Sequence, residues 1–160
     1  MTLLSTTTLS STTTTVNLSS GYKGYRIILF DVTTGGGSTG YIRIYFNSTN
    51  NIIDYVNNIH VTGSDFSNGA DNSSYHATGA TSDGMDSTNT ENSFYIEVYN
   101  ADSTTANKNF IAASGCKDSS ARRCINHGSG LIKTDSAISS FSVTTANGNL
   151  AGTALAYGVN

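Results

Sequence analysis

Two short runs constrain this chain more than anything else in it: Tyr41 to Phe46, YIRIYF, and Phe94 to Tyr99, FYIEVY. In the first, Ile42, Ile44 and Phe46 fall on one side and Tyr41, Arg43 and Tyr45 on the other. In the second, Phe94, Ile96 and Val98 oppose Tyr95, Glu97 and Tyr99. A period of two with a charge on the polar side belongs to a half-buried strand and cannot be met by a helix. Lys23 to Val32, KGYRIILFDV, is apolar almost throughout, which predicts a strand covered on both faces. Ile52 to Val61 reads as a strand of ambiguous period, with a helical turn over Ile52 to Val56 as the alternative. Asn107 to Ser114, with Phe110 and Ile111 as its apolar pair, and Cys124 to Lys133 add two more. Leu3 to Leu9 and Thr13 to Leu18 are Thr-rich, and the branched Cβ of Thr favours strands over helices. Gly63 to Asn92 is polar and weakly patterned. It reads as a long loop hiding one strand near Tyr75-His76-Ala77.

The stretch from Ile138 to Asn160, ISSFSVTTANGNLAGTALAYGVN, sets two apolar runs on either side of Asn147-Gly148-Asn149 and predicts a closing β-hairpin stopped at Tyr157-Gly158. The sum is an all-β chain: an antiparallel β-sandwich or jelly roll of about eight to ten short strands. With 160 residues it has the length of one domain with a real core. Residues 1–20 read either as an extended Thr/Ser-rich arm, with Leu3, Leu4 and Leu9 as its contacts, or as the first strands.

Only 12% of residues are charged and the net charge is −3. The polar remainder is Ser, Thr, Asn and Gly, so the surface is neutral and hydrogen-bonding. Nucleic acid is not an expected partner, because Lys and Arg are scattered apart from Lys117, Arg122 and Arg123. Neither is a membrane, since no apolar run approaches the ~20 residues of a spanning helix and there is no polybasic segment. The N-terminus does not read as a signal peptide. No proline blunts the edge strands, which suggests edges covered by a neighbouring subunit.

Chemistry is sparse. Cys116 and Cys124 bracket KDSSARR; they are a candidate disulfide, with two free thiols the favoured reading. Cys116, Cys124 and His127 lack the fourth ligand of a zinc site. His60, His76 and His127 stand far apart, and no nucleophile elbow accompanies them. The oxygen-rich segments around Asp65, Asn68 and Asp71, and around Asp83, Asp86, Asn89 and Glu91, do not follow EF-hand spacing. No enzyme activity, metal or cofactor is expected. The outward stripes Tyr95, Glu97, Tyr99 and Tyr41, Arg43, Tyr45 form the candidate interface or ligand face, because exposed aromatics mark contacts with proteins or sugars.

Three segments resemble a family of small virion proteins of tailed bacteriophages. LLSTTTLSSTTTTVNLSSGYKGYRIILFDV is similar to the family's Ser/Thr-rich opening, with Tyr22 and Tyr25 at its tyrosine positions. FYIEVYNADSTTANKNFIAASG resembles its strand, Asn-rich turn and strand, and ISSFSVTTANGNLAGTALAYGVN its closing hairpin. The resemblance implies a jelly-roll-like domain in a phage particle, arranged as a homotrimer and without a catalytic motif. A compact chain with nothing appended is expected to be a capsid cement or decoration protein on the major capsid protein. It would be part of the virion, assembled in the host cytoplasm and released by lysis. The alternative is a receptor- or glycan-binding module of a tail fibre or another tail-associated structure.

Overall fold

The computed structural model describes residues 1–35, 41–47, 53–73, 75–76, 85, 92–118 and 120–160, with the backbone alone over 64–73 and 75–76. Among the described residues there are twelve strands, somewhat more than the sequence suggests. They are β1 (Thr2–Thr8), β2 (Thr13–Asn17), β3 (Gly24–Thr34), β4 (Ile42–Phe46), β5 (Ile53–Val61), β6 (Ser64–Ser73), β7 (Tyr75–His76), β8 (Ser93–Tyr99), β9 (Lys108–Lys117), β10 (Arg123–Ile132), β11 (Ser140–Thr145) and β12 (Leu150–Val159). They form an eight-stranded sheet, β1-β12-β3-β8-β9-β10-β5-β6, and a four-stranded sheet, β2-β11-β4-β7, antiparallel throughout. The orders β1-β12-β3-β8 and β2-β11-β4-β7 are those of a jelly roll. Strands β9, β10, β5 and β6 widen its larger sheet.

The two clean alternations behave as read. Ile42, Ile44 and Phe46 are fully buried from the small sheet, and Phe94, Ile96 and Val98 from the large one, within one core. Tyr25, Ile27, Leu29 and Val32 join them from β3. The other side of β3 is only half-buried at Arg26, Ile28 and Phe30, so the strand is covered on one face rather than two. Its apolar outer residues are shielded by neighbours within the sheet, not by a further layer. β5 alternates strictly with no helical turn: Ile53, Tyr55, Asn57, Ile59 and Val61 point inward. The period is ambiguous in sequence because the polar Asn57 faces in and Val56 faces out. Phe110 and Ile111 likewise split, the first buried and the second 44% exposed.

The closing segment is not a hairpin. β11 lies in the small sheet between β2 and β4, β12 in the large sheet between β1 and β3, and the two do not pair. Residues 146–149 form a corner between layers. It is held by the Leu150 amide donating to Ser11 O (2.8 Å), the Gly35 amide to Asn149 O (2.8 Å) and the Thr145 amide to Thr12 O (3.0 Å). Apolar runs flanking a Gly-Asn turn look the same in sequence whether the strands pair or separate into two sheets. Residues 1–20 are the first strands and not an arm. Leu9 is in the core, Leu4 packs against it, and only Leu3 is exposed. Much of the expected Gly63 to Asn92 loop is also strand. β6 pairs with β5 around a turn at Gly63, whose φ is 91°. As an edge strand it draws its stability from ladder hydrogen bonds, so its sequence carries no apolar period. β7 is found at Tyr75–His76; Ala77 lies outside the described residues.

Tyr157-Gly158 does not stop the last strand either. β12 runs through it, and the Tyr22 ring lies against the Gly158 backbone where any Cβ would stand. Tyr22 in turn packs against Tyr25, with ring centroids 6.3 Å apart. Gly158→Ala drives a methyl into the near atoms of that ring, which cannot swing away cheaply. It is expected to destabilise the fold by about 1–3 kcal/mol. Tyr22→Ala in the same chain should recover much of that loss in urea unfolding. Strict additivity of the two substitutions would refute the contact.

Candidate functional site

The outer face of the eight-stranded sheet is where unusual side chains gather. Strand register carries one row across seven strands: Leu3, Tyr157, Arg26, Glu97, Ile111, Ser129 and Val56. A neighbouring row holds Leu155, Ile28, Tyr95, Ala113, His127 and Asn58. Leu3, Val56, Tyr99, Ile111, Ile125 and Leu131 are all 40–58% exposed, and all six project from this face. Small residues make shallow hollows between them. One of about 240 Å³ lies by Ile28, Tyr95, Ala113 and Gly115, and another of about 220 Å³ by Val56, His127 and Gly128.

At the centre of the face sits the Glu97 carboxylate, only 15% exposed. Its Oε1 accepts from Arg26 Nη2 at 3.0 Å and its Oε2 from the Tyr95 hydroxyl at 2.6 Å. The Arg26 guanidinium also lies 5.6 Å from the Tyr95 ring centre. The Tyr95 hydroxyl, followed by Arg26 and Tyr99, holds the Glu97 carboxyl below its ordinary value, against the opposing effect of burial. Lys133 pairs with Asp54 at 2.5 Å on the same sheet. These charges are answered within the face, where the exposed apolar side chains stand among the polar Asn58, His60, Arg123 and His127.

Tyr41, Arg43 and Tyr45 are not part of it. They belong to β4, whose inner side meets the core, so they point to the opposite side of the sandwich. There they meet a hydroxyl ladder in which Thr13 Oγ1 and Thr144 Oγ1 are 2.8 Å apart, as are Thr15 Oγ1 and Ser142 Oγ. Arg43 is the cross-strand partner of Thr144 and Tyr45 of Ser142. The six-residue candidate face is thus two faces. Alternation shows which residues point away from the core, but not which sheet each strand joins.

Cys116 and Cys124 are unbridged. They are nevertheless direct cross-strand partners in the β9–β10 hairpin. They border a cleft of about 660 Å³ that is also lined by Lys117, Arg122 and Arg123. The two thiols share a hydrogen bond, which lowers the Cys124 thiol from its ordinary value against burial and the Asp118 charge, and which together with burial raises that of Cys116. His60 and His127 are exposed on neighbouring strands, and no cluster of three potential metal ligands occurs among the described residues. Asp83, Asp86, Asn89 and Glu91, and the side chains of Asp65, Asn68, Asp71 and His76, lie outside the described residues. Comparison with protein-family models, curated proteins and solved structures finds no match.

Because the Glu97 pKa is depressed in the folded state, its contribution is complete above the unfolded carboxyl value and is lost as pH falls through the folded one. Glu97→Gln should therefore lower the urea midpoint at neutral pH. It should also flatten the decline seen in the parent protein as pH drops below the ordinary carboxyl range. Parallel pH profiles for the two proteins would show that the carboxylate contributes nothing to stability.

Proposed function

We propose that this protein is a non-catalytic structural component of a phage particle, a capsid cement that docks on major capsid subunits. The observation that carries this reading is the concentration of exposed Leu3, Val56, Tyr99, Ile111, Ile125 and Leu131 on one sheet face, while the opposite face is lined with hydroxyls. Val56, Ile111 and Leu131 surround Ser129 in the strand register, and exposed apolar side chains gathered in this way mark contact surfaces. Eight strands about 4.8 Å apart make a face wide enough for the roughly 800 Å² per partner of a stable protein interface. The resemblance of the opening, middle and closing segments to small phage virion proteins supplies the kind of partner, and a homotrimer is the arrangement that resemblance favours.

Cementing needs no chemistry at the face. A protein that binds the assembled shell and not its separated parts stabilises the shell by mass action, and shell symmetry repeats the gain at every equivalent seam. A second reading, a receptor- or glycan-binding module of the tail, is favoured by Tyr99, 43% exposed beside the Glu97 cluster. It requires the isolated protein to bind host cells or glycans, and Tyr99→Ala to abolish that binding.

The cement reading predicts that shells carrying the protein rupture at a higher temperature than shells lacking it. Ile111→Glu and Leu131→Glu alter exposed side chains, so both variants should fold. They should fail to sediment with shells and should restore the lower rupture temperature. Shells equally stable with and without the protein would overturn the reading.

A further inference from the structure

The β9–β10 turn is built to hold its two strands in fixed register. Asp118 is 1% exposed, and its Oδ1 accepts from the Ser120 and Arg122 amides at 3.0 and 2.8 Å. Its Oδ2 accepts from Arg122 Nε and Nη2, both at 2.7 Å. The Asp118 amide donates to Arg122 O at 2.9 Å, and the Ala121 amide to Asp118 O at 2.9 Å. The first of these bonds makes Asp118 and Arg122 a hydrogen-bonded pair of the ladder. Two residues along, Cys116 and Cys124 occupy the same kind of position, where antiparallel Cα atoms stand about 5.5 Å apart. Disulfides span Cα separations of about 4.4–6.8 Å, which includes this one. They want Cβ atoms about 3.5–4.5 Å apart, however, and opposite Cβ atoms of a ladder stand about 4.5–5.5 Å apart, so a bridge here draws the strands together and is readily reduced.

Access is uneven. Cys124 is 2% exposed, whereas Cys116 is partly exposed. Both border the cleft lined by Lys117, Arg122 and Arg123. Arg122 is answered by Asp118, and Lys117 and Arg123 are cross-strand partners next to the thiols.

We propose that Cys116 and Cys124 are a reversible redox pair, closed to an intrachain disulfide by a small-molecule disulfide that the cleft admits. The pair loses one proton to solvent, and the proton left behind sits on Cys124 while the Cys116 thiolate attacks one sulfur of the small disulfide and breaks its S–S bond, releasing one small thiolate. Cys124 gives its proton to that thiolate and attacks Cys116 Sγ, which releases the second small thiolate to take up a proton from solvent. Two protein thiols are oxidised to one disulfide, and one small disulfide is reduced to two thiols. The pair stands on the geometry of the hairpin, whatever particle the chain belongs to. In a chain made in a reducing cytoplasm and later released from it, the bond would close after release.

The test uses the intact protein and oxidised glutathione as the probe. Oxidised glutathione should remove both free thiols without leaving an adduct, and peptide mapping should join Cys116 to Cys124. Cys124→Ser should stop at a glutathione adduct on Cys116. Two persistent free thiols, or a stable adduct on each cysteine of the parent protein, would overturn the redox pair. The mapping of the parent protein decides the point even if the serine variant does not fold.

Discussion

Everything in this fold hangs on the burial of the C-terminal arch. β11 and β12 each run down the middle of a layer, β11 between β2 and β4 and β12 between β1 and β3. The chain therefore places its last residues between strands formed near its beginning. Phe141 and Val143 from β11, and Ala154 and Ala156 from β12, enter the same core as Ile42, Ile44, Phe46, Ile27 and Leu29. The small alanines of β12 let the two layers approach where the isoleucines and phenylalanines of their neighbours fill the space. Without this arch, β1 and β2 would lose their only ladder partners within the described residues, and β3 and β4 would each lose one. These pairings join residues 95 or more positions apart, so each closes a long loop before it is rewarded.

The sequence discloses this core readily at some positions and hides it at others. Ile42, Ile44, Phe46, Phe94, Ile96 and Val98 are legible because each strand has one dry side and one wet one. Asn57 and Val56 defeat the same reading, since a buried amide and an exposed valine invert the expected pattern on β5. The arch is misread as a hairpin because pairing is a property of where strands lie in space, and the Asn147-Gly148-Asn149 turn serves either geometry. Gly158 reads as punctuation. Its actual cause is the Tyr22 ring, which lies far away in sequence.

The candidate site shows the same division. Tyr95, Glu97 and Tyr99 are recognisable as an outward stripe, and the structure adds Arg26 as the partner of Glu97 through cross-strand register. Ile125, Leu131, Ile111 and Val56 look like core residues from composition alone, yet they stand in solvent on the added strands of the larger sheet. Widening of a jelly roll by β9, β10 and β5 exposes a face that the eight basic strands would not have. With Arg26 answered by Glu97 and Lys133 by Asp54, that face can be covered without stranding these charges, a condition that buried contacts impose. The side bearing Tyr41, Arg43 and Tyr45 carries hydroxyl ladders instead and suits solvent.

The most direct measurement is a cryo-EM map of the particle at side-chain detail, with this chain traced in its density. The account predicts the chain on the shell, with Val56, Ile111, Ile125 and Leu131 turned toward capsid subunits and Tyr41, Arg43 and Tyr45 toward solvent. A map that places the chain on the tail, or on the shell with those four apolar side chains facing solvent, would contradict it.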